Sequence, residues 1–382
     1  MTTQTTRKIL TRDFILCFFA QFTFTFVIFS LIPTLPIYLS RLGAKEEEIG
    51  VLIGSFAVSS LILRPFVGRA LLKIPEKYFM IVGALFFAST SVAYIFAPPF
   101  WPFLIVRVLQ GIGFAFFTTA SFTLIANISS QAHLGQSFSY FFLGFNLSSA
   151  LAPPLGMFLI NNFGFTFLFL VCLGLSLCSL FITHKLGRGQ VVPSQESSIE
   201  DGFFLSRKAL QPSIIGFSPF LTWGALTTFF PLYAINHGVT NPGLFFSVVA
   251  IVLIVSRVFG GKIFDLYSRE RIIMLSMTPY IIAMVILAFS KTLPMFILVA
   301  VIYGIGPSFL MPALMAYALD RGGSPGPVMG TYHAITDLGM SLGAVIMGIV
   351  IQWTSYPIMF LCLAFAGIIN LNYFYFFVRK KV

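Results

Sequence analysis

Long apolar runs, separated by short stretches of charged or turn-forming residues, make up almost the whole chain. They predict twelve helices, at 14–39, 50–72, 78–97, 102–126, 136–160, 164–183, 213–235, 244–264, 271–290, 294–319, 327–352 and 356–378. A backbone in hydrocarbon has no water to bond, so a segment that spans a bilayer alone satisfies itself as a helix. Between Arg107 and Lys185 lie 77 residues without Lys, Arg, Asp or Glu, far beyond the roughly 18 apolar residues that mark one span. Links such as Pro98-Pro99-Phe100-Trp101 and Trp353-Thr354-Ser355 are short enough to make the helices they join antiparallel. The long polar stretch 184–212, rich in Lys, Arg, Ser and Glu, predicts a cytoplasmic linker between two six-helix groups, 1–183 and 213–382. A short amphipathic helix fits within it, around Phe203–Leu210.

Composition changes the picture in one respect: it excludes a water-facing globular domain. Of 382 residues, 58% are hydrophobic and 9% charged, where soluble domains carry about a quarter charged. The net charge of +11 has a topological cause rather than a nucleic-acid partner. Of 23 Lys and Arg, seventeen fall in the N-terminal tail, the even-numbered loops and the C-terminus, against three (Arg41, Lys45, Lys291) on the other side. By the positive-inside rule this predicts a multi-pass protein of a bacterial inner membrane with both termini cytoplasmic. Cys17, Cys172, Cys178 and Cys362 all lie in apolar runs and read as small packing residues rather than disulfide partners or metal ligands. With no nucleotide loop, metal cluster or Ser/His/Asp constellation, the expectation is a monomeric non-enzyme without cofactor, whose partners are lipid, protons and a small molecule.

An internal repeat refines the architecture. Phe103-Leu-Ile-Val-Arg107-Val-Leu-Gln110-Gly111-Ile-Gly113 matches Phe296-Ile-Leu-Val-Ala300-Val-Ile-Tyr303-Gly304-Ile-Gly306 at an offset of 193 residues. At that offset Arg64-Pro-Phe-Val-Gly68-Arg69 matches Arg257-Val-Phe-Gly-Gly261-Lys262. Helices two and four thus correspond to eight and ten, and the fold class expected is an all-α membrane protein of two pseudo-symmetric six-helix bundles, with a site between the halves near the midplane.

These residues resemble the major facilitator superfamily over essentially the whole length. Its loop motif G-x-L-A-D-R-x-G-R-R is similar to the segment Gly68–Lys77, with Leu72 where the family has Asp, and to Gly261–Glu270, where Asp265 keeps the acid. Arg107-x-x-Gln110-Gly111 follows the family's R-x-x-Q-G motif, and Ser148-Ser-Ala-Leu-Ala152-Pro153-Pro154-Leu-Gly156 echoes the helix-five signature of its proton-driven exporters. The resemblance implies a secondary transporter working by alternating access, of the drug and metabolite efflux branch. It also implies a proton-coupling role for Arg107 and charge latches at cytoplasmic helix ends, from Arg64, Arg69, Arg257, Asp265 and Arg269.

Charge inside a membrane is itself a pointer to function. Asp337 lies in the middle of helix eleven with His333 four residues earlier on the same face, a pair suited to exchanging protons. Arg107 is either their relay partner or a contact for an anionic solute. Gln21, Gln110, Asn146, Trp223 and Thr227 join Arg107 as candidate substrate contacts. Few polar groups among many aromatics suit an amphipathic solute better than a sugar. The expected activity is proton-coupled export; the alternative is proton-coupled uptake of an organic anion or metabolite.

Overall fold

The computed structural model describes residues 11–71, 73–129, 134–187, 210–260, 267–320 and 325–378. They form twelve helices: α1 (Arg12–Arg41), α2 (Glu46–Ala70), α3 (Glu76–Phe96), α4 (Trp101–Ile128), α5 (Leu134–Phe163), α6 (Phe165–His184), α7 (Leu210–Asn236), α8 (Gly243–Gly260), α9 (Arg269–Phe289), α10 (Leu293–Asp320), α11 (Pro325–Trp353) and α12 (Tyr356–Tyr373), the last continued by a π turn at Phe374–Val378. Eleven are long and apolar enough to cross a membrane; the apolar part of α8, Gly243–Ser256, is shorter. Helix α2 starts four residues before its apolar run. Glu46, Glu47 and Glu48 occupy its first turn, and the Glu48 carboxylate accepts a hydrogen bond from the Lys45 N–H at 2.8 Å, which satisfies an orphan donor and complements the helix dipole. The helix expected around Phe203–Leu210 lies outside the described residues, save for Leu210 at the start of α7.

The short links at residues 42–45, 97–100, 164, 237–242, 290–292 and 354–355 all lie at one end of the helices, called here the hairpin face; α1 begins and α12 ends at the other, the terminal face. At the terminal face the Lys77 ammonium donates to the carbonyls of His184 and Leu186, both at 2.6 Å, tying the start of α3 to the end of α6. Among the first six helices α1 packs on α5 and α6, α4 on α2 and α3, and α3 on α6. The same pairings occur six helices later: α7 on α11 and α12, α10 on α8 and α9, α9 on α12. Contacts between these sets run through α2 with α11, α5 with α8, and α1 with α7.

Small residues fix the crossings, because in lipid the helices are held by close packing rather than by a hydrophobic drive. A Cβ on Gly83 would sit 2.6 Å from the Gly113 carbonyl, and one on Gly306 would sit 2.9 Å from that of Ser276. Gly111 faces Ser59 and the Phe56 carbonyl, while Gly304 faces Val252 and the Val249 carbonyl. In each pair the two crossings are 193 residues apart at every position, the offset of the sequence repeat. Gly50 and Gly243 obey it too, while the α11 and α5 residues they meet are 191 apart. The first lies against the carbonyl of Ala344 in α11, the second against that of Pro153 in α5.

Two of the prolines inside the helices free carbonyls that a neighbouring helix takes up. Pro154 has no N–H for Ala150, whose oxygen accepts instead from Ser247 Oγ of α8 at 2.5 Å. Pro219 likewise releases Ile215, whose oxygen accepts from the buried Asn370 Nδ2 of α12 at 2.8 Å. Each breaker thereby becomes an interhelical bond. Gly83→Leu, which overpacks the α3–α4 crossing, is expected to cost roughly 1–3 kcal/mol and to lower the melting temperature in detergent. Gly174→Leu, in α6 with open space around it, should leave that temperature within a degree or two of wild type.

Candidate functional site

Two charged positions from different parts of the chain meet between α2 and α11. Arg64 Nη1 lies 2.8 Å from Asp337 Oδ2, with the side chains 30% and 19% exposed. Arg64 sits six residues inside the end of α2, not at its terminus, and its guanidinium carbon lies 5.6 Å from the Phe114 ring centroid. Its Nε is buried with no hydrogen-bond partner. One carboxylate and one aromatic face therefore hold this cation, and the pair cancels two charges that would each be expensive in the membrane.

One turn along α11 from Asp337, toward the hairpin face, is a cavity of about 70 Å³ enclosed by α1, α2, α4, α7 and α11. Its walls are mainly aliphatic, with Arg107, Gln110, Thr227, Thr228 and Ser341 as polar exceptions. Pockets for drug-sized ligands measure roughly 300–1,000 Å³, so this conformation is contracted around its centre. On the hairpin side the walls meet. Gly50 touches Ala344, a Cβ on Gly348 would stand 2.7 Å from the Glu46 carbonyl, and Asn161 Nδ2 donates to the Thr240 carbonyl at 2.8 Å.

Arg107 is held quite differently from Arg64. Its Nε donates to the Leu52 carbonyl at 3.2 Å and its Nη2 to the Ile53 carbonyl at 3.0 Å, both in α2. Its Nη1 donates to Gln110 Oε1 at 2.5 Å, and the Phe56 ring centroid lies 4.8 Å from its guanidinium carbon. Tyr94 donates to the same Gln110 oxygen at 2.5 Å. Only 6% of Arg107 is exposed, and among the described residues no carboxylate pairs with it.

Of the expected substrate contacts, Arg107, Gln110 and Thr227 come together at the cavity. Gln21 is buried in the first six helices, accepting from Ser121 Oγ at 2.9 Å. Trp223 stacks on Tyr303 at 6.2 Å, and Asn146 is half-buried on α5; neither lines the cavity. Of the expected proton-coupling set, Asp337 pairs with Arg64 rather than with Arg107, while the side chain of His333 lies outside the described residues. Of the expected latch residues, Arg69 and Arg269 are exposed near the terminal face, the Arg257 side chain is outside the described residues, and so is Asp265. Ser341 was legible as the residue four after Asp337 on one helical face. Tyr94 and Phe56 carried no signal, since aromatics fill every helix.

The family model described as Major Facilitator Superfamily matches residues 17–322 and, in a second match, 213–382. The chain belongs to the major facilitator superfamily. It is 23% identical over 345 residues to the staphylopine export protein of Staphylococcus aureus, covering 86% of each chain. It is 24% identical over 341 residues to the quinolone resistance protein NorA of the same species, covering 83% of this chain and 84% of NorA. The crystal structure of a mutant of the nucleoside transporter NupG superposes with a TM-score of 0.82 at 14% identity, over 95% of this chain and 99% of that one, a likeness of fold. The ion pair itself can be weighed directly. A double-mutant cycle of Arg64→Gln and Asp337→Asn, read by unfolding in detergent, should give a coupling of roughly 1–2 kcal/mol, reduced from that of a fully buried pair by the partial exposure.

Proposed function

We propose that this protein is a proton-coupled exporter of a small amphipathic organic solute, working by alternating access in a bacterial inner membrane with both termini cytoplasmic. The observation that carries the reading is the Arg64–Asp337 pair, a titratable contact between α2 and α11 set one turn from the central cavity. The halves that rock are residues 1–183 and 213–382, joined by the linker 184–212. Their equivalence is supported by crossings that recur at the 193-residue offset, and by the second family match beginning at residue 213.

In this orientation the hairpin face is the outer one, and the present conformation is closed to the outside at Gly50–Ala344 and Gly243–Pro153. Charged, Asp337 holds Arg64 and with it α11 against α2. Protonated, it loses the Coulomb attraction, and Arg64, with no other polar anchor among the described residues, releases. A proton therefore binds one arrangement of the halves better than the other, which is what shifts an equilibrium between states. Gly50 corresponds to Gly243 and Ala344 to Pro153; carried along the same helices, Arg64 corresponds to Arg257 and Asp337 to Asn146. By that register, 191 residues between α5 and α11, one crossing carries a carboxylate and its counterpart an amide. The name of the staphylopine export protein supports the outward direction. The second reading, proton-coupled uptake of an organic anion or metabolite, draws on Arg107 at the cavity wall and differs in solute and in carrying it inward with the proton rather than against it.

The test uses proteoliposomes loaded with a pH-sensitive dye and challenged with a panel of amphipathic compounds. Wild type should move protons in response to some of them, and Asp337→Asn should lose that response while still binding the compounds. Coupled proton movement that persists in Asp337→Asn would overturn the assignment. The sign of the pH change under an imposed solute gradient separates exchange from symport.

A further inference from the structure

Arg107 and Gln110 form one polar spot in the cavity, and its chemistry is one-sided. Arginine has donors only, so the atom of Gln110 that faces Nη1 must be its oxygen. That oxygen is taken twice, by Arg107 and by Tyr94, which fixes the amide and leaves its Nε2 donors without a partner among the described residues. The guanidinium spends one N–H on each of two backbone carbonyls, so an Nη2 hydrogen remains. The charge of Arg107 is buried, and none of the described residues lining the cavity is acidic. Backbone carbonyls and a ring face solvate a cation but do not neutralise it.

The opposite wall is different. Thr227 Oγ1 donates to the Trp223 and Gly224 carbonyls at 3.0 and 3.1 Å, Thr228 Oγ1 to Gly224 at 2.8 Å, and Ser341 Oγ to Gly54 at 3.0 Å. With their hydrogens committed, these hydroxyls can only accept. The cavity thus presents donors and positive charge at one place and weak neutral acceptors at another, between aliphatic walls.

Resting on the reading of this cavity as the transport site, the geometry points to a carboxylate subsite at Arg107 and Gln110, and so to a transported solute that is an amphipathic carboxylate rather than a lipophilic cation. The carboxylate takes one donor from the Gln110 amide and one from the Arg107 edge, a charge-assisted arrangement stronger than neutral hydrogen bonds. Gln110 is the residue that sets selectivity, because it alone can be converted to an acceptor without disturbing its shape.

Three matched probes, phenylacetate, phenylacetamide and phenethylammonium, would be titrated calorimetrically into the detergent-solubilised protein. Phenylacetate should bind roughly tenfold tighter than the amide, with the ammonium weaker still. Gln110→Glu, isosteric and able to accept from Tyr94 and Arg107, should abolish the carboxylate preference. Gln110→Leu should weaken phenylacetate without favouring the ammonium, and melting curves would show that both variants fold. Equal binding of the ammonium, no binding of any probe, or an unchanged preference in Gln110→Glu would overturn the subsite. Binding is read here without proton movement, so a failure of the Asp337 coupling would leave this result intact, and the converse holds as well.

Discussion

A polar group at membrane depth is costly unless it finds a partner within the protein, and most of the architecture follows from that constraint. It makes each span a helix, and it turns Ser and Thr hydroxyls back onto carbonyls of their own helix, as in Thr25 to Gln21 at 2.8 Å and Ser276 to Ile272 at 2.6 Å. It also decides what becomes of the broken turns. The carbonyls that Pro154 and Pro219 release are taken by Ser247 and Asn370 on neighbouring helices. The prolines thus help to hold the helices together at the points where they could have weakened them.

The same constraint separates the two interior arginines. Arg107 is built into the wall by carbonyls of α2, an amide oxygen, the Tyr94 hydroxyl and an aromatic face, none of them a carboxylate. Arg64 depends on the carboxylate of Asp337. A cation whose partners never change charge is suited to holding a solute group in place, whereas one held by a carboxylate can be let go when that carboxylate is protonated. In the function proposed above, the fixed charge at the cavity wall and the Arg64–Asp337 pair one turn beyond it along α11 both bear on α2, so solute and proton would act on the same helix. The two repeats differ here, with Ala300 where the first has Arg107, while Gly50, Gly111 and Gly113 keep counterparts in Gly243, Gly304 and Gly306.

The amino-acid sequence by itself determined the number and approximate bounds of the helices, because apolar runs of this length have one stable form in lipid. It also determined the repeat and the family, through Arg107-x-x-Gln110-Gly111 and the glycines that match at a constant offset. Asp337 and Arg107 stood out for a simple reason, the rarity of charge in such runs. Pairing was beyond the reach of sequence. Arg64 reads as one more cation near a helix end, and its partner lies 273 residues away; only the crossing of α2 with α11 brings them within 2.8 Å. Likewise Gln21, Asn146 and Trp223 looked as suited to a binding site as Gln110 and Thr227. Which polar side chains face the central space and which face a neighbouring helix depends on how each helix is rotated, and that rotation is set by packing among glycines, prolines and aromatics from distant segments, a property of the assembled bundle.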